Sequence, residues 1–159
     1  MGVPQKRERT FILGHKKEFD LPKLKMDFNE KPIFFKEVID KSDTKRGITD
    51  MEYDLWEKRL PKEYRLWDTN MRLYGKNSGF TRQFVRSDDV CHTLTTTSYI
   101  VADFPRYLNE AEIKKCSSFP MDYKYPSREK LQWMCGMSVP PVMTAQIAHQ
   151  VYLQWLKGL

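Results

Sequence analysis

The stretch Gly2-Val3-Pro4-Gln5-Lys6-Arg7-Glu8-Arg9, continued by Thr10-Phe11-Ile12-Leu13-Gly14, decides how the rest of the chain is read. Its first half is basic and polar. Its second half is a short β-branched and aromatic run closed by glycine, the pattern of a buried strand. A strand this apolar needs neighbours on both sides, and nothing before it in the chain supplies one. Residues 10–13 are therefore expected to complete a sheet made elsewhere.

Working outward, residues 15–90 mix charged segments with scattered aromatics and with turn signals at Gly47, Pro61 and Lys76-Asn77-Ser78-Gly79. The pattern predicts a short element over Ile33–Ile39, a helix over Asp50–Arg59 and strands over Phe80–Val85 and Thr93–Ile100. Asn109 is placed to cap a helix over Glu110–Ser117, with Glu110 and Glu112 in the first turn where the macrodipole favours acids; Phe119-Pro120 ends it. The clearest helix is the last. Pro140-Pro141 opens it, Met143, Ile147 and Val151 line one side with Ala148, Tyr152 and Trp155 beside them, and Gly158 stops it. No internal repeat or low-complexity stretch occurs.

At 159 residues the chain has room for one ordinary domain, or for one small domain plus fragments of a second. With 40% hydrophobic and 30% charged residues it is globular, not disordered. The 27 Lys and Arg against 21 Asp and Glu give a net charge of +6, which suits a polyanion such as nucleic acid. Acids are interspersed with bases, so any positive face has to be made by folding. No run approaches a membrane span, and the N-terminus lacks the apolar core of a signal peptide, so an intracellular, cytoplasmic protein is expected. Cys91, Cys116 and Cys135 are odd in number and widely spaced, which reads as free thiols in a reducing compartment. No Cys-X-X-Cys or His-X-X-X-His pair links them to His15, His92 or His149, so no metal is expected. Adjacent Cys91 and His92 read as a strand pair facing opposite ways. Trp56 and Trp67 read as core at amphipathic spacing, although aromatics of this region could also stack on a base.

Three motifs, in order, resemble the DNA (cytosine-5) methyltransferases. The opening Gly2–Arg9 stretch with its strand is similar to the family's Gln-X-Arg-X-Arg motif. Arg106-Tyr107-Leu108-Asn109, then Glu112, then Phe119-Pro120 with Asp122 and Tyr123, resembles the family's Arg-X-Leu-Thr-X-X-Glu helix ending in Phe-Pro-Asp, with Asn109 where Thr is usual. Gly136-Met137-Ser138-Val139-Pro140-Pro141 looks like the closing Gly-Asn-Ser-Val-Pro-Pro, with Met137 at the Asn position. Between the first two lies a recognition-sized gap that ends on Thr93-Leu94-Thr95-Thr96-Thr97, similar to the Thr-Leu pair that closes the family's target-recognition region.

The resemblance implies a mixed α/β (α+β) chain. Residues 1–14 would be a strand segment of the catalytic domain, 15–125 a small target-recognition domain, and 126–159 a C-terminal segment returning to an incomplete Rossmann-like methyltransferase domain. It places Gln5, Arg7 and Arg9 beside a flipped cytosine and its phosphates, where guanidinium groups bind phosphate and polarise a base carbonyl. It places Gly136, Ser138 and Val139 beside S-adenosylmethionine, and Thr93, Leu94 and Thr95 on the DNA backbone. Arg72, Arg82 and Arg86, inside the recognition region, either read base edges or solvate a surface. The chemistry itself needs a thiolate on C6 of cytosine and an acid at N3. The family's Pro-Cys and Glu-Asn-Val motifs are missing, and no Gly-X-Gly occurs. The expectation is thus a C-terminal part, inactive alone, that binds double-stranded DNA and shares its cofactor with an N-terminal half. It would be a bacterial or phage-like split subunit or a truncated product; a non-catalytic DNA-binding module is the rival reading.

Overall fold

A computed structural model of the chain describes residues 1–77, 79 and 81–158. Ser78, in the expected turn, and Phe80, the expected first residue of a strand, lie outside the described residues. The elements run in the order α1 (Asp50–Glu57), α2 (Leu66–Tyr74), β1 (Phe84–Val85), β2 (Ile100–Val101), α3 (Glu110–Cys116), α4 (Arg128–Met137) and α5 (Pro141–Val151). Short 3-10 turns sit at Lys17–Phe19 and Phe35–Glu37, and a π turn at Tyr152–Leu156 extends α5.

Side-chain caps fix the helix starts. The Thr49 hydroxyl accepts from the Glu52 amide while the Glu52 carboxylate accepts from the Thr49 amide at 3.0 Å, and Asn109 and Glu112 repeat this reciprocal box at α3. Ser127 caps α4, and Pro141 opens α5. At α2 the Asp68 carboxylate accepts from the Tyr64 and Arg65 amides at 2.9 Å, and Gly75 closes the helix with φ of 62°. The predicted helices over 50–59 and 110–117 and the one opened by Pro140-Pro141 are present within a residue or two of their expected ends, whereas α2 and α4 were not foreseen.

β1 and β2 pair in parallel with Phe84 opposite Ile100 and Val85 opposite Val101. Their side chains feed two clusters. Val85 and Val101 join Phe35, Leu94, Tyr99, Leu108, Ile113 and, from α4, Leu131 and Cys135 in one core; Phe84 and Ile100 join Ile48, Leu55 and Leu66 in the other. The three cysteines are all free and all buried in the first cluster. Packing therefore continues past residue 125 as far as Cys135.

Two expected strands are absent. Residues 10–13 form no strand, and Ile12 is 93% exposed, because no described strand lies alongside to take up their backbone groups. Residues 93–99 form an irregular loop instead of a strand, since their backbone groups are bonded by side chains (below). Trp56 is half-buried with its indole N–H donating to the Val101 carbonyl, but Trp67 is 37% exposed and bonds Asn77, which corrects its reading as core. No described helix is long and apolar enough to cross a membrane.

Candidate functional site

The site grows from Arg7, only 6% exposed. Its guanidinium donates to Gln5 Oε1 at 3.0 Å, to the Leu94 carbonyl at 2.9 Å and to the Gly136 carbonyl at 2.7 Å. A buried cation needs such oxygens to replace water. Burial, with Arg9 nearby, holds its pKa below the usual arginine value. Next to it, the Gln5 amide donates to the Cys116 carbonyl, Lys6 N–H donates to the Cys91 carbonyl at 2.8 Å, and the Thr93 hydroxyl donates to the Lys6 carbonyl. Residues from positions 5–7, 91–94 and 136 are thus drawn to one place by side-chain and backbone bonds across more than a hundred residues of chain.

Gly136 is part of this closure. It lies inside α4, and a Cβ there would sit 2.5 Å from the Thr95 carbonyl group and 2.8 Å from the Thr96 nitrogen, so only glycine lets the helix come this close to the loop. Gln132, one turn earlier, donates to the Thr95 carbonyl at 2.7 Å. The Tyr99 hydroxyl donates to the Thr93 carbonyl at 2.7 Å and accepts from the Thr95 amide at 3.2 Å.

Not every expected site residue faces outward. Leu94 is fully buried, so its side chain belongs to the core and only its neighbours offer atoms to a DNA backbone; Thr95 is exposed. Arg9 is exposed and, among the described residues, bonded only to the adjacent Glu8 carbonyl. Ser138 Oγ donates to the Cys135 carbonyl at 3.1 Å and the Gly136 carbonyl is taken by Arg7, leaving Val139 half-buried beside them.

The three recognition-region arginines are all paired within the chain. Arg72 donates to Glu63 at 2.6 Å and pulls that carboxyl down to a pKa of about 2. Arg82 pairs with buried Glu52 and lies over the Tyr107 ring, and Arg86 pairs with Asp88 at 3.3 Å. Among the described residues Arg7, Arg9, Arg59, Arg65 and Arg128 have no carboxylate partner within ion-pair distance; apart from Arg7 and Arg9, no local spacing in the sequence marks them.

The second motif works as a tie. Arg106, 2% exposed, grips Glu112 with two 2.8 Å bonds and donates to the Asp40 carbonyl, while Glu112 also accepts from the Asp40 amide. One buried ion pair thereby anchors α3 to the 40–43 turn.

A cavity of about 850 Å³ opens between residues 7–28 and α5, with Phe11, Leu13, Leu24 and Phe28 facing Met143 and Ile147, and Arg7 and Arg9 at its edge. Gly136, Ser138 and Val139 do not line it. Among the described residues no three His, Cys, Asp or Glu side chains converge on a cation site. His92 is half-buried with its ring edge-on to Tyr64 at 5.9 Å, while Cys91 points into the core.

Compared with known proteins, residues 1–153 match the family model described as C-5 cytosine-specific DNA methylase. No curated protein matches the chain.

Proposed function

The chain belongs to the C-5 cytosine-specific DNA methylases, and from that premise we propose that it is the DNA-gripping, C-terminal part of such an enzyme. The family acts on DNA and uses S-adenosylmethionine. In this reading residues 15–125 choose a duplex site, residues 1–14 and 126–159 belong with the catalytic domain, and a separate N-terminal half performs the methyl transfer. One observation carries the reading: Arg7 gathers the carbonyls of Leu94 and Gly136, joining the first motif to the Thr-Leu pair and to the closing motif.

Arg9, exposed and without a carboxylate partner among the described residues, is the group best able to reach a phosphate or the carbonyl of an extruded cytosine; Gln5 and Arg7 support it from behind. Extrusion costs a few kcal/mol, and contacts from this part help to offset it. The cofactor residues do not form a cradle by themselves. With the Ser138 hydroxyl and the Gly136 carbonyl engaged inside the chain, Gly136, Ser138 and Val139 border the cofactor, whose main holders lie outside these residues. Arg72, Arg82 and Arg86 would have to leave their carboxylates to read bases, and the Thr93 hydroxyl is already given to the Lys6 carbonyl, so exposed Thr95 is the stronger DNA contact.

The test is reconstitution. Mixed with a family N-terminal half that carries Pro-Cys and Glu-Asn-Val, duplex DNA and labelled S-adenosylmethionine, the chain should support methylation that neither half shows alone, and Arg9→Ala should weaken it. A second reading, a non-catalytic DNA-binding module, is favoured by the absence of Pro-Cys and Glu-Asn from the sequence. A stable complex on DNA that never methylates would decide for it.

A further inference from the structure

The loop from Thr93 to Thr97 is held without any strand partner. Four backbone groups of residues 93–95 are bonded by side chains, one nearby and two distant: the Thr93 carbonyl and the Thr95 amide by the Tyr99 hydroxyl, the Leu94 carbonyl by Arg7, and the Thr95 carbonyl by Gln132. Tyr99 and Gln132 are 2% and 3% exposed, so the side chains that hold the loop are buried while the bonds themselves are part-buried. Beneath the loop, the glycine at position 136 brings α4 against the Thr95–Thr96 peptide. Above it, Thr95, Thr96 and Thr97 are exposed, and the Thr95 and Thr97 hydroxyls lie 3.0 Å apart.

The contrast between inner and outer sides carries the argument. The buried side chains hold mainly backbone groups, and the Tyr99 hydroxyl also reaches Thr95 Oγ1 at 3.2 Å, so the exposed Thr95 and Thr97 hydroxyls are oriented by a frame that is ordered before any ligand arrives. Hydroxyls presented this way suit a phosphodiester oxygen, and ordering the frame during folding removes that cost from binding. We infer that Tyr99, Gln132 and Arg7 are positioning residues that preset the Thr95–Thr97 hydroxyls for a DNA phosphate. The inference rests on the proposed DNA-gripping role. It adds that the grip depends on buried side chains that never touch DNA.

Two variants remove the buttress without removing bulk. Tyr99→Phe keeps the ring in the core and deletes only the hydroxyl, and Gln132→Met deletes the amide. Binding of the full chain to a short random-sequence duplex is measured by anisotropy over a range of salt concentrations, with thermal unfolding recorded alongside. Each variant should bind about three- to tenfold more weakly per folded molecule. The slope of log affinity against log salt should not change, because no cation–phosphate contact is lost. Tyr99→Phe combined with Thr95→Val should lose less than the sum of the two single losses, since both act through one loop. Lowered melting temperatures with unaltered affinity in both variants would make the buttress merely structural and overturn the inference. A wild-type chain that fails to bind the duplex would instead overturn the DNA-gripping role beneath it.

Discussion

Two regions of similar apolar content meet opposite fates. Leu94, Ile113, Leu131 and Cys135 are sealed in a core, whereas Phe11, Ile12 and Leu13 stand 38%, 93% and 41% exposed. The residues around the first group arrive with partners: a buried ion pair, a parallel strand pair and a helix that closes on a loop through Gly136. The segment around Ile12 and the residues that follow it meet α5 and its π turn through scattered contacts, among them Gln146 to Glu30, Trp155 to the Pro22 carbonyl and Gln154 to Lys25, around an open cavity. Apolarity sets what a segment needs; neighbours decide whether it gets it.

The largest effect comes from attacking the first region at its ion pair. Arg106→Met leaves Glu112 as a fully buried carboxylate with no cation, which should cost about 3–5 kcal/mol in urea unfolding. A loss under about 1 kcal/mol would mean that the apolar residues alone hold this region. Gly136→Ala comes next. The added methyl meets backbone rather than a flexible side chain, so α4 or the Thr95–Thr96 peptide has to move, at about 1–3 kcal/mol. Hydrogen exchange should report the strain as faster exchange at the Thr95 amide.

These two positions also show where the sequence was legible. Asn109 and Pro140-Pro141 announce their helices because a cap or a prolyl ring acts within one turn, and the chemistry is visible in a few adjacent letters. Gly136 was legible as a motif residue but not as a helical one, since its reason for being glycine is a loop forty residues away. The β-branched run Thr93–Thr97 reads as strand, yet Tyr99, Gln132 and Arg7 take the backbone groups a ladder would need. Arg72 and Arg82 look like base readers until the fold brings Glu63 and Glu52 to them, whereas Arg86 pairs with its near neighbour Asp88. Short-range signals survive reading in one dimension, while pairing across the chain does not.

The smallest expected effect is the sharpest test of the contrast between the regions. Ile12→Ser changes a large apolar side chain that is already in water, so it should shift the unfolding free energy of the chain by less than about 0.5 kcal/mol. The same replacement in the core, at Ile113, would strip a fully buried side chain. If residues 10–13 are a strand waiting for a sheet in the other half, Ile12→Ser should leave the isolated chain unchanged but weaken its association with an N-terminal half, measured by titration calorimetry. The affinity should fall roughly ten- to a hundredfold, in line with the roughly 1.5–3 kcal/mol that burying an isoleucine contributes. Equal association by both forms would leave the exposure of Ile12 without a partner to explain it, and the two regions would then differ in packing alone rather than in what each is built to meet.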